Sequence, residues 1–305
     1  MANSIALAQR YSPVLDEVYK KYSLSAILDT PADRVLWDGA DTAKIYKTSM
    51  DGLGSYDRNN GYAKGSVNGS WETLQMNYSR GRQLMIDAMD NEETLDMAFG
   101  TLAGEFVRTQ EVPEGDAFTF AKIAGTSNIQ AATPADFGSI SNVLTAVDTA
   151  QKALDDEEVP EEGRILFVSN AVYYALKDKL TRMIQNGDPN VNRNVEFLDT
   201  MRVIKVPQNR FNTAIDLYDG VTAGQESGGW TSVPASGYSY KINFLLVHPS
   251  AIVKVTKHRI LRVFSPEVVQ DADAWKFNER LYGFVGVKEN KKKGVYLHRY
   301  STANS

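Results

Sequence analysis

The chain has 305 residues, 43% hydrophobic and 23% charged, enough for one large or two moderate domains with packed cores and too apolar for a disordered polymer. Thirty-three Lys and Arg against 38 Asp and Glu leave a net charge of -5, so bulk attraction to nucleic acid or anionic lipid is excluded and only local patches remain for such contacts. The absence of cysteine removes disulfides, thiolate metal sites and cysteine nucleophiles, and makes reducing cytosol the expected compartment. "MANSIALAQRYSPVLDEVYKKYS" lacks the basic and apolar regions of a signal peptide, and the longest apolar runs, "FLLV" and "ILFV", are far too short to span a membrane.

Residues 1–41 read as an arm, with helical patches (Ala6, Leu7, Val14, Leu15, Val18) broken by Pro13 and Pro31. "AKIYKTS", 43–49, alternates as a strand does, and Leu74, Met76 and Tyr78 return at period two, continuing toward Leu84 and Ile86. Together they predict a long hairpin over 42–89 whose far end is "LGSYDRNNGYAKGSVNGSW", 53–71. "DNEETLDMAFGTLAGEFVRT" predicts a helix capped by Asp90, with Glu92 and Glu93 in its first turn and Leu95, Phe99, Leu102 and Phe106 at helical spacing. Pro113 is expected to bend or restart it, and the apolar face continues to about Gly125.

A second helix is predicted from Thr133 as N-cap, with Pro134 and Asp136 following and Phe137, Ile140, Leu144, Val147 and Leu154 as its buried stripe. "ILFV", 165–168, reads as a buried strand entering a helix capped by Ser169 or Asn170. "FLDTMRVIKVP" and "KINFLLVHP" add two strands around a polar, Gly-rich insertion near Gly220 to Gly237, giving one α/β unit over about 126–248. "AIVKVTKHRILRVFSPE" and "ERLYGFVGVKENKKKGVYLHRY" predict antiparallel strands with one wet face, "ENKKKG" being the turn between two of them.

Catalytic patterns are sparse. "DGLGSYD" lacks the third glycine and the Lys-Ser or Lys-Thr of a phosphate loop, and it joins two strands where a phosphate loop joins a strand to a helix. His248, His258 and His298 share no metal-ligand spacing, and His248, before Pro249, reads as a packed or hydrogen-bonded residue. "DADAWKFNE" has the acids of a calcium loop without its glycine, "DNEETLD" is accounted for by helix capping, and "KKK", 291–293, reads as a solvated turn. "NGS" and "NYS" match sequons that a cytosolic protein does not use. A soluble enzyme with its site in the loops near 207–240 stays open as an alternative, although no nucleophile and base are assembled there.

The 53–71 loop is the feature left over. Fixing about seventeen exposed loop residues opposes folding by some tens of kcal/mol at about 1–2 kcal/mol each, and the loop brings little apolar side chain to offset it. Tyr56, Arg58, Tyr62 and Trp71 are residues that interfaces favour, which points to a neighbouring subunit as receiver.

The order of parts strongly resembles the major capsid (coat) protein family of tailed bacteriophages, the Hong Kong ninety-seven type shell fold. The resemblance covers nearly the whole chain and is carried above all by "GLGSYDRNNGY", "RGRQLMIDAMDNEET" and "VRTQEVPEGDA". It implies an α+β phage capsid shell fold: N-terminal arm (1–41), extended β-hairpin loop (42–89), spine helix of the peripheral domain (90–125), axial domain (126–248), and peripheral-domain strands with the C-terminus (249–305). It further implies a structural protein and not an enzyme, self-assembling in the host cytoplasm into the icosahedral shell of a virion, with copies of itself in pentamers and hexamers. The implied partners are a portal, decoration proteins and weakly held packaged DNA, with no cofactor, metal or membrane. Inter-subunit contact falls to Tyr56, Arg58, Tyr62, Lys64 and Trp71. Some relatives carry a long N-terminal scaffolding segment, and here about 40 residues precede the hairpin, which points to a separate scaffolding protein. Others cross-link a loop lysine to an asparagine of the next subunit; Lys64 is the only lysine between Met50 and Arg80, and Asn278 and Asn290 are its candidate partners. An encapsulin-like compartment shares the fold and is the nearest alternative.

Overall fold

The computed structural model describes residues 23–31, 36–39, 41–59, 61–89, 104–139, 142–183 and 195–304. The helical patches expected before residue 22, and the helix capped by Asp90 as far as residue 103, lie outside them. The chain enters through a short 3₁₀ turn, Ala26–Leu28, whose Leu28 is buried in the main core. Asp116 holds this entry, its buried carboxylate accepting from Ser23 Oγ (2.9 Å), Leu24 N (3.1 Å), Ser25 N (3.0 Å) and Ser25 Oγ (2.7 Å).

Strand β1 (Leu36–Asp38) pairs antiparallel with β2 (Thr42–Met50), and β2 pairs along its whole length with β3 (Val67–Gln75). The hairpin stops at Gln75, short of the boundary at 89 expected from sequence. Asn77 diverts the chain: its side-chain amide donates to Val285 O (2.7 Å) and accepts from Val285 N (3.1 Å), imitating a strand residue beside a different sheet. β4 (Tyr78–Asp87) then runs in that other sheet.

The helical stretch after residue 104 is continuous through Pro113. A π turn, Val107–Glu111, closed by Val112 N–H on Val107 O, re-spaces the carbonyls ahead of the proline, and α1 (Val112–Ala124) restarts from it with Pro113 in its first turn, one of the two outcomes expected from sequence. Most of α1 is buried, polar Glu114, Asp116 and Thr119 included, because elements pack on several sides of it. After β5 (Gln130–Ala131) the second helix, α2 (Val143–Asp156), starts nine residues later than expected. Its N-cap is Asn142, whose side chain accepts from Leu144 N, while Asp136 is drawn instead to the far end of the chain, accepting from Ser301 N, Thr302 N and Thr302 Oγ1. Val143, Val147, Ala150 and Leu154 form its buried stripe. β6 (Ile165–Ser169) runs into α3 (Asn170–Met183), with Val172 N–H reaching Ser169 Oγ. β7 (Phe197–Leu198), β8 (Met201–Val206), the ribbon β9 (Asp216–Leu217) with β10 (Trp230–Thr231), and β11 (Tyr240–Val247) complete this stretch.

β12 (Ile252–Phe264) and β13 (Ala274–Val287) form a long antiparallel pair, extended by β4 on the far side of β13. The "ENKKKG" turn is a 3₁₀ segment, Glu289–Gly294, that joins two different sheets: β14 (Val295–Ala303) leaves the peripheral strands and inserts between β5 and β11. The α/β unit therefore also takes in residues 295–303, which the sequence pattern groups with the strands of 249–305. Its sheet runs β5-β14-β11-β6-β8-β7, with β5/β14 and β6/β8 parallel and the rest antiparallel. Phe167, Ile242, Leu245, Val247 and Leu297 meet Phe120 and Ile123 of α1 on one face. Leu166, Val168, Phe244, Leu246 and Tyr296 meet α2 and α3 on the other. Covered on both faces, "ILFV" and "FLLV" have no use for polar alternation.

Candidate assembly surfaces

The β2–β3 hairpin carries two unlike faces. One begins at Ala43 and Leu74, buried against Val253 and Val255 with Trp37, Ile45 and Phe284 beside them, and turns polar outward through Lys47, Glu72, Ser49, Ser70 and Asn68. The root is fixed further by the Lys47–Glu289 ion pair, by Glu289 N–H donating to the Glu72 carboxylate (3.2 Å and 3.3 Å), and by Tyr282 OH donating to Asp41 (2.7 Å). The hydrogen bond from Lys47 holds the Glu289 carboxyl below its usual range.

The opposite face carries Thr42, Lys44, Thr73 and Gln75 near the root and exposed apolar residues farther out. Register places Tyr46 opposite Trp71, Thr48 opposite Gly69 and Met50 opposite Val67. The Tyr46 and Trp71 rings meet edge-on at 5.0 Å, and Gly69 leaves the space that the Tyr46 ring takes, since a Cβ there would lie 1.9 Å from its hydroxyl. These residues are half or more exposed, Trp71 at 50% and Met50 and Val67 at 70%. Nine paired residues at about 3.4 Å each carry this face roughly 27 Å from root to loop.

The loop is locally ordered by its own polar groups. Asp51 accepts from Ser66 N (2.7 Å) and Oγ (2.8 Å), which lowers its carboxyl's affinity for a proton. Asp57 and Gly61 exchange two backbone hydrogen bonds around a turn in which Asp57 Oδ1 caps Asn59 N and Gly61 takes a φ of 78°. The Tyr56 and Tyr62 rings meet across that turn at a tilt of 58° with centres 4.9 Å apart, and Arg58 and Lys64 are exposed. Four of the five residues singled out from sequence, Tyr56, Arg58, Tyr62 and Lys64, thus sit in the loop, whereas Trp71 belongs to the strand face. Tyr46, Met50 and Val67 on that face were missed, although their period-two spacing was readable.

Neither asparagine considered for a cross-link lies in the loop with Lys64. Asn278 is half-buried in mid-β13, opposite Gln83 and Arg262, and Asn290 is exposed in the 3₁₀ turn at the hairpin root.

A second exposed patch belongs to the ribbon insertion of the axial unit. Asp219 shapes its turn by accepting from Thr222 Oγ1, Val221 N and Thr222 N, contacts that hold its carboxyl down to about 2. Val221 and Tyr238 stand out from it into solvent. In this 207–240 region, where sequence left an enzyme site open, Ser239 Oγ is bound to Ala214 O (2.7 Å), a structural contact. His248 hydrogen-bonds Ser250 and His298 is buried against Asn243. Among the described residues no three His, Asp or Glu side chains gather as metal ligands, and no helix is long and apolar enough to cross a membrane.

No family profile and no curated sequence matches the chain. Solved structures do. The asymmetric unit of the bacteriophage PhiM1 mature capsid matches with a TM-score of 0.59 at 13% identity, covering 87% of this chain and 83% of that one. The acid-stable capsid structure of Helicobacter pylori bacteriophage KHP30 matches with a TM-score of 0.59 at 13% identity, covering 89% of each chain. A virus-like particle from Pyrococcus furiosus matches with a TM-score of 0.55 at 11% identity, covering 96% of this chain and 99% of that one. The fold is the α+β phage capsid shell fold.

Proposed function

We propose that this chain is the major capsid protein of a tailed bacteriophage, copies of which close an icosahedral shell around the genome. The observation that carries the proposal is the hairpin's apolar face. Tyr46 with Trp71 and Met50 with Val67 form two exposed apolar pairs, with Thr48 and Gly69 between them, on an arm rooted in its own subunit by the opposite face, and an exposed apolar patch of this kind marks a contact surface. A second copy of the same chain is the occupant that a shell fold supplies. In this reading Tyr56, Arg58, Tyr62, Lys64 and Trp71 touch the neighbour, and the axial units with their exposed ribbons gather into pentamers and hexamers. Assembly in the host cytoplasm with a separate scaffolding protein and a portal, decoration proteins outside, and weak contact with packaged DNA belong to the same proposal; the net charge of -5 suits a wall that must not grip DNA tightly. Catalysis has no part in it.

Electron microscopy of the purified protein tests this directly. Closed shells holding nucleic acid support it. Shells filled with protein favour a compartment of the encapsulin kind, to which the Pyrococcus likeness lends the fold. Dispersed monomers with enzymatic turnover overturn both. Deleting residues 56–68 is expected to leave a folded subunit that closes no stable shell, and normal shells from that variant would remove the hairpin's assigned role. A covalent link from Lys64 to Asn278 or Asn290 of a neighbour is a separable part of the proposal, and a single subunit-sized band after boiling particles in SDS disposes of it.

A further inference from the structure

Where the π turn and α1 cross the peripheral sheet, a cavity of about 220 Å³ lies between the helix, β4, β13 and the 218–229 ribbon. Glu111 from the helix and Glu279 from β13 line it together, and each side chain is only 3% exposed. Glu111 Oε1 and both carboxyl oxygens of Glu279 are buried with no hydrogen-bond donor. Two facing carboxylates offer acceptors alone.

The surrounding charges do not resolve this. Arg259 of β12 approaches Glu111 Oε2 at 3.5 Å and Glu279 Oε1 at 4.0 Å, one guanidinium for two acids. Arg80 of β4 is committed to Glu114, at 2.5 Å and 3.0 Å, and to the carbonyls of Tyr218 and Gly229. Arg82, opposite Glu279 in the β4 register, donates to Glu226 O, and the ribbon adds Asp219 to the cavity wall. Leu261 is the β12 partner of Glu279 and contributes no charge. Glu111, Glu114, Asp219 and Glu279 thus outnumber Arg80, Arg82 and Arg259 by one negative charge.

We infer that Glu111 and Glu279 share one proton across the seam between the helix and the peripheral sheet, and that this proton is a pH-sensitive clasp: its presence closes the seam, and its removal sets two buried carboxylates against each other. Burial, with Glu111 alongside, pushes the Glu279 carboxyl up to about 10 against the opposing pull of Arg259. Glu279 is therefore held in its neutral form at neutral pH, where an exposed glutamate is ionised. A metal cation would have to displace a proton held that tightly and share the site with Arg259, so the proton is the better occupant. The folded-state value lies above the ordinary one of 4.5, so the stability tied to this group is complete below about 4.5 and is lost progressively as pH rises toward 10.

Two measurements on the full chain decide the matter. Infrared spectroscopy of the wild-type protein at pH 8 is expected to show the C=O stretch of a neutral carboxylic acid, fading toward pH 10 and missing from Glu279→Gln. Thermal midpoints between pH 5 and 10 are expected to fall in the wild type and to flatten in Glu279→Gln, whose amide can donate to Glu111 permanently, with the variant's midpoint at pH 9 equal to or above the wild type's. A wild-type spectrum without that band at pH 8, a band that survives Glu279→Gln, or an unchanged slope overturns the inference. Should Glu279→Gln fail to fold, the presence or absence of the wild-type band and its titration decide alone.

Discussion

The six-stranded sheet and the β2–β3 hairpin are both antiparallel pairings in large part, yet they differ in what completes them. In the sheet, Phe167 and Ile165 face α1 while Leu166 and Val168 face α2 and α3, so both faces of every central strand are covered by the chain itself. In the hairpin the inward face is covered only at the root, by Val253 and Val255, and the outward face of Tyr46, Met50, Val67 and Trp71 is left to solvent. The contrast separates burial within the subunit, which fixes the fold, from an apolar surface that the subunit leaves uncovered and that the proposed shell would cover.

Truncation in the sheet should cost the most. Phe244 is fully buried between β11 and the α2–α3 layer and packs on His298 with ring centres 5.0 Å apart, so Phe244→Ala is expected to lower subunit stability by about 3–5 kcal/mol, read as a shift of the denaturant midpoint. Asp116→Asn comes next. It weakens the buried acceptor that anchors Ser23 to Ser25 and removes the charge facing Arg210, with an expected loss of about 2–3 kcal/mol and earlier proteolysis ahead of residue 23. Removing the α2 cap with Asn142→Ala should cost about 1 kcal/mol. The smallest change in stability is expected from Met50→Ser with Val67→Ser, within about 0.5 kcal/mol for the isolated subunit because both side chains are exposed there. Those same two substitutions should abolish assembly in a sedimentation assay. If they instead destabilise the subunit as Phe244→Ala does, the division between the two regions fails.

The elements were readable where local pattern and tertiary environment agree. "ILFV" and "FLLV" announced strands buried on both faces, and Leu84 with Ile86 announced a strand, but nothing local says that β4 pairs with β13, some 190 residues away, and not with its own hairpin. That partnership rests on Asn77, whose amide imitates backbone beside Val285. The cap at Thr133 failed for a related reason: Asp136 satisfies Ser301 and Thr302, a long-range demand that outweighs a local capping pattern. In the hairpin, the loop aromatics were visible by composition, and the period-two spacing of Tyr46 with Met50 and of Val67 with Trp71 was readable, but that the two sets share one face required knowing the register. The Glu111–Glu279 seam was invisible, because the two acids are 168 positions apart and neither is unusual in its own segment.

The placement of β14 sets the order in which this molecule can be finished during synthesis. Residues 295–303 are the inner neighbour of both β5 and β11, so until the ribosome has released them the axial sheet has an open slot with β11 exposed along one edge. The hairpin, made more than 200 residues earlier, is by then already outside the ribosome. The β2–β3 hairpin is therefore available well before the six-stranded sheet is filled, and insertion of β14 between β5 and β11 is the step that closes that sheet.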